Sequence, residues 1–329
     1  MVEKVESVDV RMEAAPLAGF SDAPWRLMCT QGGADRTWTE MVSAAALAHG
    51  SSPTHHLMET MEGEGPVVCQ LFGATEEDLA KATKEVSDWR CADGKRFAAV
   101  NLNAGCPMTK VTKCGAGAKL VESPGKIFQL LKAMKENTDL PVSLKTRLGP
   151  HPGKTNIFEI VSAAEVAGAS EVILHARYTS QMHGGERHLD VLKEVVEKSR
   201  IPIVGNGSVV DKKSFLAMVA TGVSGVMIGR AALGEPGIFR RLKTGEGSPN
   251  PINTHLRALL AFREQLEKKY PKDHIPSVDG YASLKMRTHL FRYFSGRPGA
   301  AKMRAAINSI HTLNEIYGII EAYGQGRDI

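Results

Sequence analysis

The amino-acid sequence predicts an α/β protein, a (β/α)8 TIM barrel followed by a small C-terminal helical domain. Eight short apolar runs, each followed by a helical pattern, occupy roughly the first 240 residues, which matches such a barrel. A Gly-, Pro- and Ser-rich stretch at residues 244–251 then predicts a linker. Beyond this stretch the pattern is helical and poor in strands.

Composition is typical of a globular protein. The chain has 329 residues, of which 43% are hydrophobic and 23% are charged, and its net charge is +5. No apolar run approaches the roughly 18 residues of a transmembrane helix, and the charged start has no signal-peptide core. Five cysteines without a C-x-x-C pair argue against a disulfide framework and against a zinc site. We therefore expect a cytoplasmic protein with no membrane partner, and no obligate protein partner is evident.

The first half of the predicted barrel begins with its least regular strand, at residues 11–16. Ser21 and Asp22 can cap the helix that follows. Acidic residues after Thr75 favour the start of a later helix, because they complement its dipole. The other predicted strands of this half are residues 37–41, 66–72 and 97–100, and the helices are residues 22–31, 43–48, 75–89 and 124–137.

The second half repeats the same alternation. Its predicted strands are residues 141–147, 171–175, 201–204 and 225–228, and its helices are residues 157–167, 189–198, 212–220 and 237–242. The predicted domains are a barrel at residues 1–243, a linker at 244–254 and a helical domain at 255–329. Apolar side chains at three- and four-residue spacing predict tail helices at residues 255–269, 281–294 and 299–317.

Polar side chains stand at successive strand ends. Because the carboxyl ends of the strands share one rim of a barrel, this set predicts a functional site there. A single buried His or Lys is more often structural, but so many on one rim favour a site. The set comprises Glu40, Gln70, Asn103, Cys106, Lys145, Arg147, His175, Asn206 and Arg230.

Three local patterns refine the predicted site. Gly105 and Pro107 end the fourth strand, so the loop after it presents the thiol of Cys106. Glycines in Gly205-Asn-Gly207 and Gly229-Arg230 let backbone N–H groups approach an anion, which predicts a phosphate site. No strand precedes a G-x-G-x-x-G motif, so a Rossmann-type nicotinamide site is not expected.

Lys145 and Arg147 lie two residues apart on a strand and therefore share one face. A cation pointing into the barrel mouth could stabilise the negative charge of a reduced flavin. The alternative is that these residues form ion pairs with Glu40.

Together these motifs resemble the tRNA-dihydrouridine synthase family, flavoenzymes that reduce uridine in tRNA. The resemblance covers the barrel in the family's order and the helical tail more loosely. The matching stretches are APLAGFSD at 15–22, TEM at 39–41, VCQLFG at 68–73, NLNAGCP at 101–107, GAG at 115–117, KTR at 145–147, HAR at 175–177, GNG at 205–207 and IGRAA at 228–232.

The resemblance implies a role for each matching position. Asn103 would orient the uracil, and Cys106 would protonate C5 after reduced FMN has delivered a hydride to C6. A thiol suits this task because it stays mostly protonated near neutral pH. NADPH would reduce the flavin in a separate half-reaction, and the residues do not distinguish it from NADH. The residues implied to bind FMN are Pro16, Ala18, Gln70, Lys145, His175, Asn206, Gly207, Gly229 and Arg230.

The chain departs from the family pattern at two positions. Ser208 follows the Gly-Asn-Gly motif where the family usually has an acidic residue. After His175 the family often has two arginines, whereas this chain has only Arg177, which we expect to contact the substrate.

The tail carries a basic stretch without acidic residues between Tyr281 and Arg304. Basic side chains there could neutralise tRNA phosphates, with aromatic residues interleaved. The alternative is a solvated helix face whose aromatic residues lie in the core. The basic residues are Lys285, Arg287, Arg292, Arg297, Lys302 and Arg304, and we expect the first three to bind tRNA.

Two other functions remain open at this point. One is an FMN-dependent barrel that reduces a free small molecule such as a pyrimidine or an enone. The other is a non-redox binding or structural protein on a barrel scaffold. Flavin absorbance in the purified protein would separate the redox functions from the second alternative.

Overall fold

A computed structural model describes residues 10–247, 251–296 and 300–324. Its centre is a sheet of eight strands, and every neighbouring pair is parallel. The strands are β1 (Arg11–Ala14), β2 (Thr37–Ser43), β3 (Val67–Phe72), β4 (Ala99–Ala104), β5 (Val142–Arg147), β6 (Glu171–His175), β7 (Ile203–Asn206) and β8 (Gly225–Ile228).

The sheet closes on itself. Its order runs from β1 through β8 back to β2, so β1 and β2 are the two edges. These edges meet at a parallel bridge between Glu13 and Arg36. The backbone N–H of Ala14 also donates to the carbonyl of Arg36 at 3.0 Å. The predicted (β/α)8 barrel is therefore confirmed.

Helices connect the strands on the outside of the barrel. Side-chain N-caps stabilise the first turn of several helices. The side chain of Asp22 accepts the backbone N–H of Trp25, and the side chain of Thr75 accepts the backbone N–H of Asp78. The barrel helices are α1 (Ala23–Gln31), α2 (Ala44–Ala48), α3 (Ser52–His56), α4 (Glu76–Asp88), α5 (Thr109–Thr112), α6 (Pro124–Lys135), α7 (Ile157–Val166), α8 (Leu189–Lys198), α9 (Lys212–Val219), α10 (Arg230–Gly234) and α11 (Ile238–Thr244).

The barrel interior is layered. Seven buried apolar side chains, from six strands and the loop after β1, form one ring: Ala15, Trp38, Val68, Ala99, Ile173, Val204 and Met227. Side chains two residues further along a strand point to the same side. Gln70, Asn101, His175 and Asn206 each stand two residues after a ring member, so the next layer toward the carboxyl ends is polar.

Ion pairs with buried carboxylates stabilise the opposite end of the barrel. Glu13 and Glu171 form ion pairs with Arg11 and Arg36, and the indole N–H of Trp38 donates to Glu13 at 2.8 Å. These carboxylates are buried and have their partners beside them. We interpret this end as structural, as is usual for the amino ends of barrel strands.

The tail forms four helices with a core of their own. They are α12 (Ile252–Lys269), α13 (Val278–Tyr293), α14 (Ala300–Asn308) and α15 (Leu313–Gly324). Their core includes Leu256, Phe262, Met286 and Ile316, and Ala23 of α1 joins it from the barrel. Contacts of α12 with α1, and of α13 with α10, place the tail against the barrel.

Several predicted boundaries were wrong. Strand β4 continues to Ala104 and β7 to Asn206, so Asn101, Asn103 and Asn206 lie on strands and not on loops. These two strands were predicted from their apolar runs, which end at Val100 and Val204, whereas polar side chains line the inside of the barrel mouth. Short helices α3, α5 and α10 were missed because four or five residues carry too little periodicity.

Two tail predictions also differ from the structure. Helix α12 begins at Ile252, inside the stretch predicted as a linker. The segment predicted at 299–317 is two helices, α14 and α15, separated at residues 309–312. Within the part of the chain that is described, no helix is long and apolar enough to cross a membrane.

Candidate functional site

A chain of hydrogen-bonded side chains, mostly amides, runs along three neighbouring strands inside the barrel. The Nδ2 of Asn103 donates to Oε1 of Gln70 at 2.8 Å, and the Nε2 of Gln70 donates to Oδ1 of Asn101 at 2.8 Å. Asn101 in turn donates to the hydroxyl of Ser143 at 2.9 Å. All four residues are buried, so each bond fixes the orientation of the next side chain. The strand register places them side by side on β3, β4 and β5.

Cys106 stands directly beyond this amide chain. Its backbone N–H and that of Gly105 both donate to Oδ1 of Asn103, at 3.0 and 3.1 Å, so Asn103 holds the turn that follows β4. Cys106 is half-buried, whereas Cys29 and Cys69 are fully buried. Of the described cysteines, Cys114 is the exposed one, on the turn after α5.

Lys145 points into the mouth beside Cys106. Its ammonium donates to Oδ1 of Asn206 at 3.2 Å, and Nδ2 of Asn206 donates to the carbonyl of Met227 at 2.9 Å. Burial, together with the charge of Arg147, lowers the pKa of Lys145 to about 7, and charge on Cys106 acts in the opposite direction. Lys145 can therefore exchange a proton near neutral pH.

The predicted alternative, an ion pair with Glu40, is not what the described residues show. Arg147 donates to the carbonyls of Gly105, Tyr178 and Met182 and so fixes the loop after β6. Glu40 instead accepts the backbone N–H of Gly19, in the loop after β1.

Cations collect on the other side of the mouth. Arg177 is buried and donates to the carbonyl of Gly185 and to the hydroxyl of Ser208. Burial lowers its pKa, and the charges of Arg230 and Arg187 add to this effect. Burial also lowers the pKa of His175 well below its ordinary value, with neighbouring cations contributing. In the described part of the chain, no salt bridge joins Lys145, Arg177, Arg187 or Arg230 to a carboxylate.

Gly207 closes this cationic region at the end of β7. Its φ is +130°, and a Cβ built on it would lie 2.9 Å from Cδ2 of His175. The site therefore requires glycine for two reasons, backbone conformation and close approach. Arg230 begins α10, is exposed and donates to the carbonyl of His183 at 3.2 Å, while Gly229 is the N-cap residue of this helix.

The loop after β1 contributes the remaining predicted positions. Pro16 is half-buried and Ala18 is exposed. Ser21 accepts the backbone N–H of Leu17 at 2.9 Å, and Glu40 accepts that of Gly19. These bonds hold the loop at the rim of the mouth.

The predicted basic residues of the tail have different surroundings. Lys285 forms an ion pair with the buried carboxylate of Asp22 at 3.3 Å, and Arg287 donates to the carbonyl of Ile310. Arg292 is exposed, and its guanidinium lies 5.5 Å from the centre of the Phe20 ring, next to the rim. Lys302 and Arg304 are exposed on α14, and Arg297 lies outside the described residues.

Comparisons with known proteins identify the family. The model of the dihydrouridine synthase family matches residues 13–322, which include the barrel mouth and most of the tail. The chain belongs to the dihydrouridine synthase family. It is 30% identical over 319 residues to the tRNA-dihydrouridine synthase B of Klebsiella pneumoniae, which covers 95% of each chain.

Two further relatives span similar lengths. The chain is 31% identical over 316 residues to the tRNA-dihydrouridine synthase B of Proteus vulgaris, covering 94% of each chain. It is 32% identical over 300 residues to a probable tRNA-dihydrouridine synthase of Treponema pallidum (strain Nichols), covering 87% of this chain and 84% of the relative.

In this member of the dihydrouridine synthase family, sequence reasoning missed several residues of the mouth. Asn101 and Ser143 complete the amide chain, Arg187 adds a charge to the cationic side, and His183 lies beside it. The two-residue period from Ala99 could have indicated Asn101, because both must face the barrel interior. Nothing local indicated Arg187 or His183, since the loop after β6 brings them to the mouth.

Proposed function

We propose that this chain is a tRNA-dihydrouridine synthase, which reduces the C5=C6 bond of uridine in tRNA with FMN and uses NADPH as a transient reductant. The observation that carries the proposal is the half-buried Cys106 at the barrel mouth, which follows the fixed amide of Asn103 and lies near the side chain of Lys145. Membership in the dihydrouridine synthase family supports the reaction type. The names of the relatives at about 30% identity support tRNA as the substrate.

The cationic side of the mouth suits the phosphate of FMN. Arg230 stands there without a carboxylate in the described salt bridges, near enough to Arg177 for the two charges to repel, and the glycine at position 207 leaves room for close approach. An anion would relieve the mutual repulsion of these cations. The residues proposed to hold FMN are Pro16, Ala18, Gln70, Lys145, His175, Asn206, Gly207, Gly229 and Arg230.

Bound and reduced FMN would supply the hydride, which no side chain can provide. Lys145 would place a positive charge next to the anionic flavin ring. Because its pKa is about 7 before any anion binds, a neighbouring negative charge would favour its protonated form. Asn206 would keep the ammonium in the mouth through the bond at 3.2 Å.

Cys106 would protonate C5 of the uracil from the face opposite the hydride donor. Its position depends on Asn103, whose Oδ1 holds the turn that carries the thiol. One N–H of Asn103 is bonded to Gln70, and the other contacts the sulfur of Met41 at 3.0 Å, which is a weak acceptor. That N–H could exchange the sulfur for a uracil oxygen, so Asn103 would also orient the base.

The uridine must leave its stack in tRNA to enter the mouth. Arg292 would contact the tRNA backbone next to the rim, and Arg177 would contact it from the loop after β6. Lys285 and Arg287 would contribute indirectly, because their partners Asp22 and Ile310 hold α13 in place.

The test compares Cys106→Ala with Cys114→Ala in protein that holds FMN. Cys106→Ala should keep its yellow colour and its rate of NADPH oxidation but should lose at least 100-fold in the rate at which tRNA reoxidises the flavin. Cys114→Ala should match wild type in all three measurements, because its thiol lies on the turn after α5. Normal dihydrouridine formation by Cys106→Ala would contradict the assigned role. Reoxidation by free uridine as fast as by tRNA would favour a small-molecule reductase instead.

A further inference from the structure

Three buried side chains that could bind a metal converge where the tail packs against the barrel. Asp22 caps α1, His255 lies on α12 and His289 lies on α13. One ligand atom from each lies within 4.8 Å of the others. Both histidines have no exposed surface, and Asp22 is 7% exposed.

This cluster contains an unusual number of unpartnered polar atoms. Among the described residues, Nε2 of His255 and both ring nitrogens of His289 have no hydrogen-bond partner, and Oδ2 of Asp22 has only the ammonium of Lys285, at 3.3 Å. A neutral imidazole has one donor and one acceptor, and leaving either unsatisfied is costly. Three such nitrogens beside a carboxylate oxygen therefore indicate a ligand that satisfies them.

Outer contacts orient two of the three side chains toward the centre of the cluster. Oδ1 of Asp22 accepts the N–H of Trp25 at 3.2 Å, which leaves Oδ2 for the histidines and Lys285. Nδ1 of His255 is bonded to the hydroxyl of Tyr293 at 2.8 Å, which leaves Nε2 free. Metal-binding histidines are held in the same way by a bond to the second ring nitrogen.

We propose that Asp22, His255 and His289 bind a divalent transition-metal ion, preferably Zn²⁺, at the joint between the barrel and the tail. Two imidazole nitrogens and one carboxylate oxygen form a ligand set that suits Zn²⁺, whereas Mg²⁺ and Ca²⁺ prefer oxygen ligands alone. Water can complete a tetrahedral site with three protein ligands. The absence of a C-x-x-C pair does not bear on this site, because its ligands are not cysteines.

Lys285 competes for the same carboxylate. Its ammonium lies 3.3 Å from Oδ2 of Asp22, and the charge of Glu40 also acts on it. Metal binding would displace the ammonium toward Glu40, so removing this cation should strengthen binding. A site filled only by an ordered water would show no such dependence.

The metal would tie the tail to the barrel. Asp22 is the N-cap residue of barrel helix α1, whereas His255 and His289 lie on tail helices α12 and α13. No single segment of the chain can therefore form the site. Because the site exists only when the two parts are packed together, metal would stabilise the folded chain by mass action.

The experiment uses the full chain, freed of metal by a chelator and then titrated with Zn²⁺ and Co²⁺. We expect one Zn²⁺ per chain, a higher melting temperature with Zn²⁺ and the intense visible bands of tetrahedral Co²⁺. His255→Gln and His289→Gln should each weaken binding by more than about 100-fold. Lys285→Met should tighten it. His188→Gln should bind as wild type, because it removes an imidazole outside the cluster whose buried Nε2 also has no partner among the described residues.

Three results would overturn the proposal. The first is equal Zn²⁺ uptake by wild type and the His255→Gln/His289→Gln double variant. The second is a Co²⁺ spectrum identical to that of the aqueous ion, a measurement on wild type that stands even if the variants fail to fold. The third is a Lys285→Met variant whose Zn²⁺ affinity is unchanged or weaker. None of these readouts depends on dihydrouridine formation.

Discussion

Gly207→Ala tests whether the end of β7 must approach His175 closely. The φ of +130° costs a non-glycine residue about 1–3 kcal/mol. The added Cβ would also lie 2.9 Å from Cδ2 and 3.2 Å from Nε2 of His175, so the imidazole must shift. His175 is buried and contacts Arg177, so it has little room to move. We expect the free energy of unfolding to fall by roughly 2–4 kcal/mol and FMN affinity to fall by at least about tenfold.

The assay is urea denaturation of the flavin-free protein together with FMN titration. Gly245→Ala is the matched control, because its φ of +80° also favours glycine while no atom of the described residues lies within 4 Å of the added Cβ. This control should lose about 1 kcal/mol of stability and keep its FMN affinity. If the two variants lose the same free energy of unfolding within about 0.5 kcal/mol, and Gly207→Ala binds FMN as tightly as Gly245→Ala, the argument from close approach is wrong.

Three further predictions concern the mouth and the tail. The folded chain holds the pKa of Lys145 at about 7, below the ordinary 10.5, so the unfolded chain binds more protons between these values. The free energy of unfolding of the flavin-free protein should therefore increase as pH rises from about 7 to about 10.5. FMN affinity should fall over the same range, because Lys145 loses its positive charge. Lys145→Met should flatten both pH profiles. Asn101→Leu should lower the free energy of unfolding in urea by roughly 2–4 kcal/mol, because Gln70 and Ser143 each lose a buried partner. Unchanged stability would show that the amide chain adapts to the loss. Arg292→Ala should weaken tRNA binding and reduce the slope of log affinity against log salt by about 1. The control is Arg200→Ala, which replaces an exposed arginine before β7 at the opposite end of the barrel and should change neither quantity. Equal slopes for the two variants would argue against contact at Arg292.

Replacing Lys285, Arg287 and Arg292 together is a less clean test of tRNA binding than Arg292→Ala alone. From the sequence these three residues form one basic stretch, whereas the structure gives Lys285 and Arg287 partners inside the protein. Replacing them would remove charge-assisted bonds worth about 1.5–3 kcal/mol each, so weaker tRNA binding could follow from lost stability. Their assignment as tRNA-binding residues stays a prediction.

The sequence alone determined the barrel and the end of it that carries the polar residues. Strand and helix periodicity are local properties, so eight alternations were visible without any knowledge of contacts. The order of polar residues after apolar runs then placed Cys106, Lys145 and His175 at one rim, because parallel strands end together. The family resemblance rested on the same short motifs, and the family match confirmed it.

Tertiary structure decided which of these residues meet. Lys145 bonds Asn206 from two strands away in the sheet, and Asn103 bonds Gln70 across a strand pair, so both contacts depend on register. The grouping of Asp22 with His255 and His289 depends on how the tail docks against the barrel. Such contacts join residues 33 to more than 200 positions apart in the chain, and no local pattern records the partner of a polar side chain. The hydrophobic pattern could indicate which residues are buried and which are exposed. Only the packing of the chain determined which charges are paired and which remain available for a ligand.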